Sequence, residues 1–298
     1  MQTFQFKRSA AALFVDLRRR SRHRVKVVRQ ALRAQRSNSV VFVAGCQRSG
    51  TNMVMDLLDS SHETDVYHEH DPRAFDNYEL REPRTLARLR AQSRAPVMVV
   101  KTLCDLERLP ALCADFAPAR VLWIYRDYRD VVNSMLVSFR NQSQQIQRLA
   151  SGRDTSWWGR GLSASNLSLL REFVHPGIDD ASAAALQWFV RAGMYFELDH
   201  HRATNTMLVN YEWLVRQPTI GAQALYSFTG LRPRADAGRE IHPQSVGKRR
   251  APAIEPDIAS LCDALMRQLD DAFACQPRLV CTATPDARAL SLQTEGCY

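Results

Sequence analysis

The segment that most constrains this chain is residues 39–52, which read S-V-V-F-V-A-G-C-Q-R-S-G-T-N. A β-branched apolar run ends at Gly45, a second glycine follows at Gly50, and apolar residues recur at helical spacing after Asn52. This pattern predicts a strand, a tight loop and a helix. Such a loop aims backbone N–H groups and a helix N-terminus at one point, which attracts an anion. The segment therefore predicts an anion-binding loop.

The glycines of this loop have the spacing of the P-loop, but Thr51 stands where a lysine should follow the second glycine. ATPases and kinases use that lysine to hold the β- and γ-phosphates. The cation of this loop is Arg48, which lies inside it. We therefore expect the loop to bind a phosphate-like group, but not a nucleoside triphosphate.

A second anion-binding pattern lies near residue 126. Residues 120–126 read R-V-L-W-I-Y-R and predict a buried strand that ends in a cation, and residues 127–139 predict a helix with one apolar face. Arg126 at the strand end and Ser134 two turns into the helix are placed to hold a second anionic group. Two such sites on one sheet predict a nucleotide that carries phosphates at both ends.

The fold class predicted from the whole chain is α/β, with a central parallel β-sheet flanked by helices. Short apolar runs alternate with helix-length segments, which is typical of a parallel sheet covered on both faces. The predicted strands are residues 40–44, 65–68, 96–101, 121–125 and 206–210. Helices are predicted over residues 181–200, 211–231 with a break at Pro218, and 257–273, and residues 142–178 read as an inserted helix and loop. Ligands of such sheets bind beyond the carboxyl ends of the strands, where the polar candidates fall.

With both motifs in this order and about 75 residues apart, the chain resembles the sulfotransferases that use 3′-phosphoadenosine 5′-phosphosulfate (PAPS). In that family a loop like Q-R-S-G-T-N grips the 5′-phosphosulfate, and the second motif is an Arg with a Ser eight residues on, often with an Asp between them. Here these are Arg126, Asp130 and Ser134. The resemblance continues through residues 209–218 and a C-terminal S-V-G-K-R-R, so that it covers roughly residues 39–252.

The resemblance implies a P-loop NTPase-like sulfotransferase fold, PAPS as co-substrate and no metal ion. A C-terminal segment of the family folds over the 3′-phosphate; the alternative here is a plain basic loop. For Arg126 the alternative is an ion pair with Asp127 or Asp130. The implied nucleotide-binding residues are Gln47, Arg48, Ser49, Gly50, Thr51, Asn52, Arg126, Ser134, Gly247, Lys248 and Arg249.

Glu69 is the predicted catalytic base, because it follows the second strand and sulfuryl transfer needs a base near the acceptor hydroxyl. Many bacterial and carbohydrate sulfotransferases carry a Glu in this place. The cytosolic branch uses a His within K-T-H, where this chain reads K-T-L at residues 101–103. His70 is the competing base, and the structural alternative for Glu69 is an ion pair with Arg73. Arg48 and Lys101 are expected to stabilise charge on the leaving phosphate, unless Lys101 is a surface lysine.

The predicted reaction is transfer of a sulfuryl group from PAPS to a hydroxyl of a carbohydrate, glycolipid or small molecule. The acceptor pocket is expected from residues 70–95 and 142–180, where Trp157 and Trp158 either line the pocket or pack in the core. Two alternatives stay open at this stage. One is a P-loop kinase or NTPase, and the other is a non-catalytic nucleotide-binding protein associated with a membrane.

The basic residues of the chain are concentrated at its N-terminus. Residues 1–38 hold eleven Lys or Arg and one acidic residue, whereas the whole chain has a net charge of +9, so the remainder is near neutral. We expect a basic N-terminal arm (1–38) and a sulfotransferase domain (39–298). The arm predicts peripheral contact with an anionic membrane through residues 7–36, or a solvated helix beside the first strand. It has little aromatic interleaving, so nucleic acid is not an expected partner.

The number and spacing of the cysteines indicate whether the protein works in a reducing or an oxidising compartment. The chain has seven, an odd number, and no two form a C-x-x-C pair. This argues against a zinc site and a complete disulfide framework and favours reduced thiols. No apolar run approaches the 18 or so residues of a membrane-spanning helix. The predicted location is the cytoplasm, with peripheral membrane association through the arm left open.

Overall fold

The strands predicted from the sequence form one five-stranded sheet in the computed structural model, which describes residues 26, 28, 30, 39–239, 241 and 246–276. A two-stranded antiparallel hairpin lies apart from the sheet. The strands are β1 (Ser39–Gly45), β2 (Thr64–Tyr67), β3 (Phe75–Asp76), β4 (Glu79–Leu80), β5 (Val97–Lys101), β6 (Ala119–Tyr125) and β7 (Thr206–Asn210).

The main sheet has the order β2–β5–β1–β6–β7, and every neighbouring pair is parallel. All seven residues of the central strand β1 are buried. Val40 and Phe42 enter the core on one face of the sheet, and Val41 and Val43 enter the core on the other. A strand covered on both faces has no solvent side, which is why its sequence is a continuous apolar run.

The helices cover both faces of the sheet. Apolar side chains of α4, α7 and α10 pack on one face, and those of α1, α8 and α9 pack on the other. The helices are α1 (Thr51–Asp59), α2 (Pro83–Gln92), α3 (Leu109–Asp115), α4 (Tyr128–Ser138), α5 (Gln142–Ala150), α6 (Ala164–Phe173), α7 (Asp180–Glu197), α8 (Tyr211–Arg216), α9 (Pro218–Thr229) and α10 (Pro256–Cys275).

Most predicted elements are confirmed, and their ends follow local chemistry. The predicted break at Pro218 separates α8 from α9, because proline has no N–H to donate but fits the first turn of a helix. The inserted segment contains two helices rather than one, and the Ser163 hydroxyl caps the second by accepting from the Asn166 N–H. The predicted helix 181–200 ends earlier, at Glu197, and Asp199 then adopts a left-handed φ of 55°.

Most of the predicted N-terminal arm lies outside the described residues. Lys26 is buried, and its Nζ lies 2.7 Å from Asp59 Oδ1 at the end of α1. Gln30 donates to the carbonyl of Thr64 at 2.8 Å, at the start of β2. This part of the arm therefore packs at edge strand β2 rather than beside the first strand. None of the helices in the described ranges is both long and apolar enough to cross a bilayer.

Candidate active site

Polar residues gather where the parallel strands end. Glu69 follows β2, Lys101 ends β5, residues 45–50 form the loop after β1, Arg126 follows β6 and Glu212 follows β7. The strand order therefore places these groups in a row along one edge of the sheet. Strand order reverses at β1, whose neighbours β5 and β6 lie on opposite sides, and ligands of open α/β sheets bind at such a point.

The loop after β1 requires both of its glycines. Gly45 has φ +136°, and a Cβ on it would lie 2.2 Å from the carbonyl oxygen of Ile124. Gly50 has φ +97°, and a Cβ on it would lie 2.2 Å from the ring of Tyr211. Arg48 also has a left-handed φ, of 68°. A non-glycine residue in this region is strained, and such strain concentrates at ligand sites.

Buried polar atoms of the loop lack a hydrogen-bond partner among the described residues. The Oε1 and Nε2 atoms of Gln47 and the Oγ of Ser49 are buried without a hydrogen-bond partner within the described part of the chain. Gly50 is the N-cap of α1 and offers no side chain to the first N–H groups of that helix. Because buried polar groups are nearly always paired in proteins, the loop fits a bound anion such as a phosphate.

Arg48 joins the two predicted anion sites. Its Nε donates to the Ser134 hydroxyl at 2.8 Å, and Arg126 Nη1 approaches the Arg48 carbonyl at 3.5 Å. The sequence assigned Arg48 to the first site and Ser134 to the second. The fold brings them together because the loop after β1 and the helix α4 after β6 follow neighbouring strands.

Arg126 is buried and held from several sides. Its Nη2 lies 3.1 Å from Asp130 Oδ2, its Nε lies 3.8 Å from Glu212 Oε1, and its guanidinium lies 4.6 Å from the centroid of the Tyr211 ring. The ion pair with Asp130 that the sequence left as an alternative is therefore present. Asp127 caps α4 by accepting from the Arg129 N–H, and its carboxylate lies 3.8 Å from the Arg129 guanidinium.

Glu212 places a largely buried carboxyl group beside Arg126. Burial raises its pKa, against the opposing effects of backbone N–H groups and Arg126. The sequence reasoning did not single out Glu212 or Tyr211, although the N-Y-E run after the fifth strand carried the signal.

The C-terminal segment lies against α4, beside Arg126. The N–H of Gly247 donates to Asp130 Oδ2 at 3.0 Å, and Asn133 Nδ2 donates to the Arg250 carbonyl at 3.1 Å. Lys248 and Arg249 are exposed. The first residue of the predicted segment, Ser245, lies outside the described residues.

Lys101 is buried and links the loop helix to the predicted base. Its Nζ donates to Asn52 Oδ1 at 2.6 Å and lies 2.5 Å from Glu69 Oε2. Only 2% of Lys101 is exposed, which excludes the surface-lysine alternative. The Glu69 carboxylate, with 28% of its side chain exposed, faces both Lys101 and solvent.

Arg73 and His70, which enter the alternative interpretations of Glu69, have contacts of their own. Arg73 pairs with Asp71 at 2.6 Å, so the predicted alternative of a Glu69–Arg73 ion pair is wrong. His70 is exposed, and its ring stacks on that of His68 with centroids 5.6 Å apart.

The two segments predicted to form the acceptor pocket meet each other. Arg160 Nη1 lies 2.7 Å from Glu79 Oε2, which joins the inserted segment to the hairpin. Trp157 and Trp158 are partly buried and stack with centroids 4.2 Å apart. Beneath Trp157 lies the buried Arg191, which donates to the Leu103 carbonyl two residues after Lys101. Nothing in the sequence marked Arg191, since it lies within a long amphipathic helix.

The chain matches the sulfotransferase domain family over residues 38–246, which is more than half of its length. It therefore belongs to the sulfotransferase family. Both predicted motifs and the loop at Glu69 fall within the matched residues. Among curated proteins, no relative matches the chain.

Solved sulfotransferases are similar at low identity. One from Alicyclobacillus acidocaldarius is 15% identical, with a TM-score of 0.45, and the match covers 80% of this chain and 94% of that one. A mouse sulfotransferase solved in complex with PAP is 14% identical, with a TM-score of 0.46, over 82% of this chain and 90% of the other. One from Mycobacterium avium is 13% identical, with a TM-score of 0.44, over 82% and 78%.

Proposed function

We propose that this sulfotransferase uses PAPS as donor and a hydroxyl-bearing molecule as acceptor. The observation that carries the proposal is the row of groups along the sheet edge. The Glu69–Lys101 pair lies on one side of the loop, and Arg126 lies on the other. The row offers a proton acceptor, a site for the transferring group and a second anion site, in the order that a donor with phosphates at both ends requires.

The first anion site is assigned to the 5′-phosphosulfate. The buried side chains of Gln47 and Ser49, the first turn of α1 and Arg48 supply its donors. Thr51 and Asn52 begin that helix. The second site, for the 3′-phosphate, consists of Arg126, Ser134 and the segment of Gly247, Lys248 and Arg249.

In the proposed reaction, a bond forms between the acceptor oxygen and sulfur while the bond between sulfur and the bridging oxygen breaks. The electron pair of the broken bond stays on the 5′-phosphate, and the acceptor proton passes to the Glu69 carboxylate. Arg48 and the loop N–H groups stabilise the charge that develops on the phosphate. Binding both partners on fixed strand ends lowers the entropic part of the barrier.

The Lys101–Glu69 contact couples proton transfer to charge stabilisation. While Glu69 is ionised, it balances the buried Lys101 ammonium. Once Glu69 has taken the acceptor proton, its carboxyl group is neutral and no longer balances the positive charge of Lys101. Lys101 also contacts Asn52 at the start of α1, so this charge is released beside the leaving phosphate.

We propose glycans, lipids and small alcohols as the acceptor classes to compare, and a cytoplasmic location in which the thiols stay reduced. Burial raises the pKa of Cys46 to about 12 and that of Cys104 to about 12, so neither thiol is readily ionised. Among the described residues, no three His, Cys, Asp or Glu side chains are gathered in a way that would hold a metal ion.

The test compares two nucleotides by thermal unfolding. Adenosine 3′,5′-bisphosphate at about 100 times its dissociation constant should stabilise the native state by about 2.7 kcal/mol. ATP with Mg²⁺ should give a much smaller shift, because Thr51 replaces the lysine that binds its phosphates. Arg126→Ala should reduce the bisphosphate shift, whereas Arg202→Ala, which removes an exposed arginine distant in sequence, should leave it unchanged.

The outcome that would contradict the proposal is a larger shift with Mg-ATP, which would favour a kinase. A bisphosphate shift without sulfuryl transfer to any acceptor in a panel of lipids, glycans and alcohols would favour a nucleotide-binding protein without activity.

A further inference from the structure

Exposed apolar side chains are concentrated at one point of the surface. Six large apolar side chains in the described residues are exposed, and three of them lie within four residues at the end of α4. They are Leu136 (38% exposed), Val137 (63%) and Phe139 (39%), which we call the apolar patch. Single exposed apolar residues are ordinary, but a contiguous group marks an interaction site.

A groove of about 650 Å³ lies at α5, the helix that follows the patch in the chain. No apolar or acidic residue lines it. We call it the basic groove, and its lining residues are Arg140, Asn141, Gln144, Gln145, Gln147, Arg148 and Ser151. Gln144 and Arg148 are exposed and lie four residues apart in α5, so they share one side of the helix, and the exposed Arg140 lies just before its N-cap Asn141.

No acidic residue occurs anywhere in residues 136–151. The described carboxylate that reaches this segment is Asp180, which accepts from the Ser143 N–H at 2.8 Å. Arg140 and Arg148 have no ion pair among the described residues. A third cation lies close by, because Asn133, one turn before Val137, holds the carbonyl of the exposed Arg250. The surface therefore combines exposed apolar side chains with unbalanced positive charge.

We propose that the apolar patch and the basic groove together form a docking surface for an anionic lipid bilayer. In a surface-bound protein, apolar side chains enter the boundary between headgroups and acyl chains while cations contact anionic headgroups. Both requirements are met within sixteen consecutive residues. A protein partner would not require cations that line an otherwise polar groove, and a free polyanion would not require the apolar patch.

The surface lies next to the candidate active site. Val137 follows Ser134, whose hydroxyl binds Arg48 of the loop, by less than one helical turn. A bilayer at the patch therefore lies close to the site assigned to the 3′-phosphate. Resting on the proposed sulfotransferase function, this position leaves the opposite side of the loop, where Glu69 and Lys101 lie, for the acceptor.

The test is flotation of the full chain with two kinds of vesicle, neutral phosphatidylcholine and phosphatidylcholine containing phosphatidylglycerol. The wild-type protein should float with the anionic vesicles and much less with the neutral ones. Each cation near an anionic surface contributes about a fivefold increase in partitioning, so R140Q/R148Q should bind about 25-fold more weakly at low salt. L136S/V137S/F139S should lose at least about tenfold through its lost apolar contact.

Two control variants change side chains of the same kinds elsewhere on the surface. I220S removes an exposed apolar side chain from α9, and R202Q/R216Q removes two exposed cations. Both controls should bind vesicles as the wild type does. Hydrogen exchange should slow in residues 136–151 when anionic vesicles are added. Because all the changed side chains are exposed, every variant should unfold at the wild-type temperature.

Three outcomes would overturn the proposal. In the first, the wild type does not bind anionic vesicles. In the second, the patch variant and the groove variant bind them as well as the wild type does. In the third, the same arginines retain the protein on heparin but the protein does not bind vesicles. The second outcome would assign any membrane contact to the basic arm. If the vesicle results hold but no acceptor is sulfated, the proposed function fails while the docking surface stands.

Discussion

At the scale of single residues, the candidate site depends on how charges are paired. Lys101 is the most buried of its charged groups and is balanced by Glu69 on one side and the Asn52 carbonyl oxygen on the other. A buried ammonium requires such partners, because an uncompensated charge in a protein interior is strongly unfavourable. Any step that neutralises Glu69 therefore changes the electrostatics of the whole loop.

Glu69→Gln tests this pairing. The glutamine keeps the size and hydrogen-bonding capacity of the side chain but cannot accept the acceptor proton. Loss of a general base lowers turnover by about 10²–10⁴-fold, and we expect at least the lower figure. The affinity for adenosine 3′,5′-bisphosphate, measured by calorimetry, should rise, because the Lys101 charge beside the site assigned to the 5′-phosphate is no longer balanced by a carboxylate.

His70→Asn is the matched control, since His70 is exposed on the same loop and does not contact Lys101. Its turnover should stay close to that of the wild type. A collapse of turnover in His70→Asn with near-normal turnover in Glu69→Gln would move the base to the histidine. Near-normal turnover in both would assign the base to another residue or to water.

The sequence predicted that the loop residues and Arg126 follow strand ends, because each ends an apolar run or stands between glycines, and the structure places them there. It could not predict which carboxylate pairs with which cation. Glu69 binds Lys101 rather than Arg73. The Glu69–Lys101 pair cannot be predicted from the chain order, since β2 and β5 are neighbours only in the folded sheet. The same holds for Glu212, which reaches Arg126 from the last strand.

At the scale of secondary-structure elements, the unit β1–loop–α1 depends on backbone space rather than on side-chain contacts. Gly45 approaches the carbonyl of Ile124 on the neighbouring strand β6, so the loop can turn close to that strand. A Cβ at 2.2 Å from a backbone oxygen cannot be accommodated unless β1 and β6 shift relative to each other. That shift would also displace Arg126, which follows β6.

Gly45→Ala should therefore lower both stability and nucleotide binding. We expect a loss of about 3 kcal/mol in the free energy of unfolding, from the contact and from the unfavourable φ. Thermal unfolding with and without adenosine 3′,5′-bisphosphate measures both effects, and the ligand-induced shift should nearly disappear.

Gly193→Ala is the matched control within the helix α7. Its added Cβ would meet its nearest neighbour, Leu265, at 3.9 Å, which is ordinary contact. Replacing glycine by alanine in a helix interior stabilises by up to about 1 kcal/mol, so this variant should unfold at a slightly higher temperature. Equal unfolding temperatures for the two variants would show that the loop tolerates a side chain at residue 45.

Elements with strong periodicity were predictable, and short ones were not. The five strands and the long helix α7 carry enough apolar residues to define their period. The hairpin β3–β4 has two residues per strand, and its turn residues Asn77 and Tyr78 both have positive φ. Tyrosine gives no sequence signal for such a conformation, so the hairpin could not be predicted.

At the scale of the whole molecule, stability is linked to pH through a buried histidine between α7 and β7. Only 5% of His200 is exposed, its ring centroid lies 5.2 Å from that of Trp123, and its Nδ1 lies 3.1 Å from the Thr206 hydroxyl. Burial lowers its pKa from 6.5 to about 4. Residues from α7, β6 and β7 surround it, so unfolding of the domain is needed to hydrate it fully.

The sign of the effect follows from where the proton binds. Below pH 6.5 the unfolded chain protonates this histidine, whereas the native state keeps it neutral until about pH 4. The stability that His200 contributes is therefore complete above pH 6.5 and is lost as the pH falls through this window. Between pH 7 and pH 5 the loss should be about 2 kcal/mol.

Urea unfolding of the wild type and of His200→Gln at pH 7 and pH 5 measures this loss. Glutamine does not titrate, so the variant should show a pH dependence smaller by about 2 kcal/mol. Any stability that the substitution itself removes is common to both pH values and cancels in the difference. His201→Gln, next to it but exposed, should retain the wild-type pH dependence. An equal drop in the wild type and His200→Gln would show that the carboxylates or other histidines, and not His200, link folding to pH.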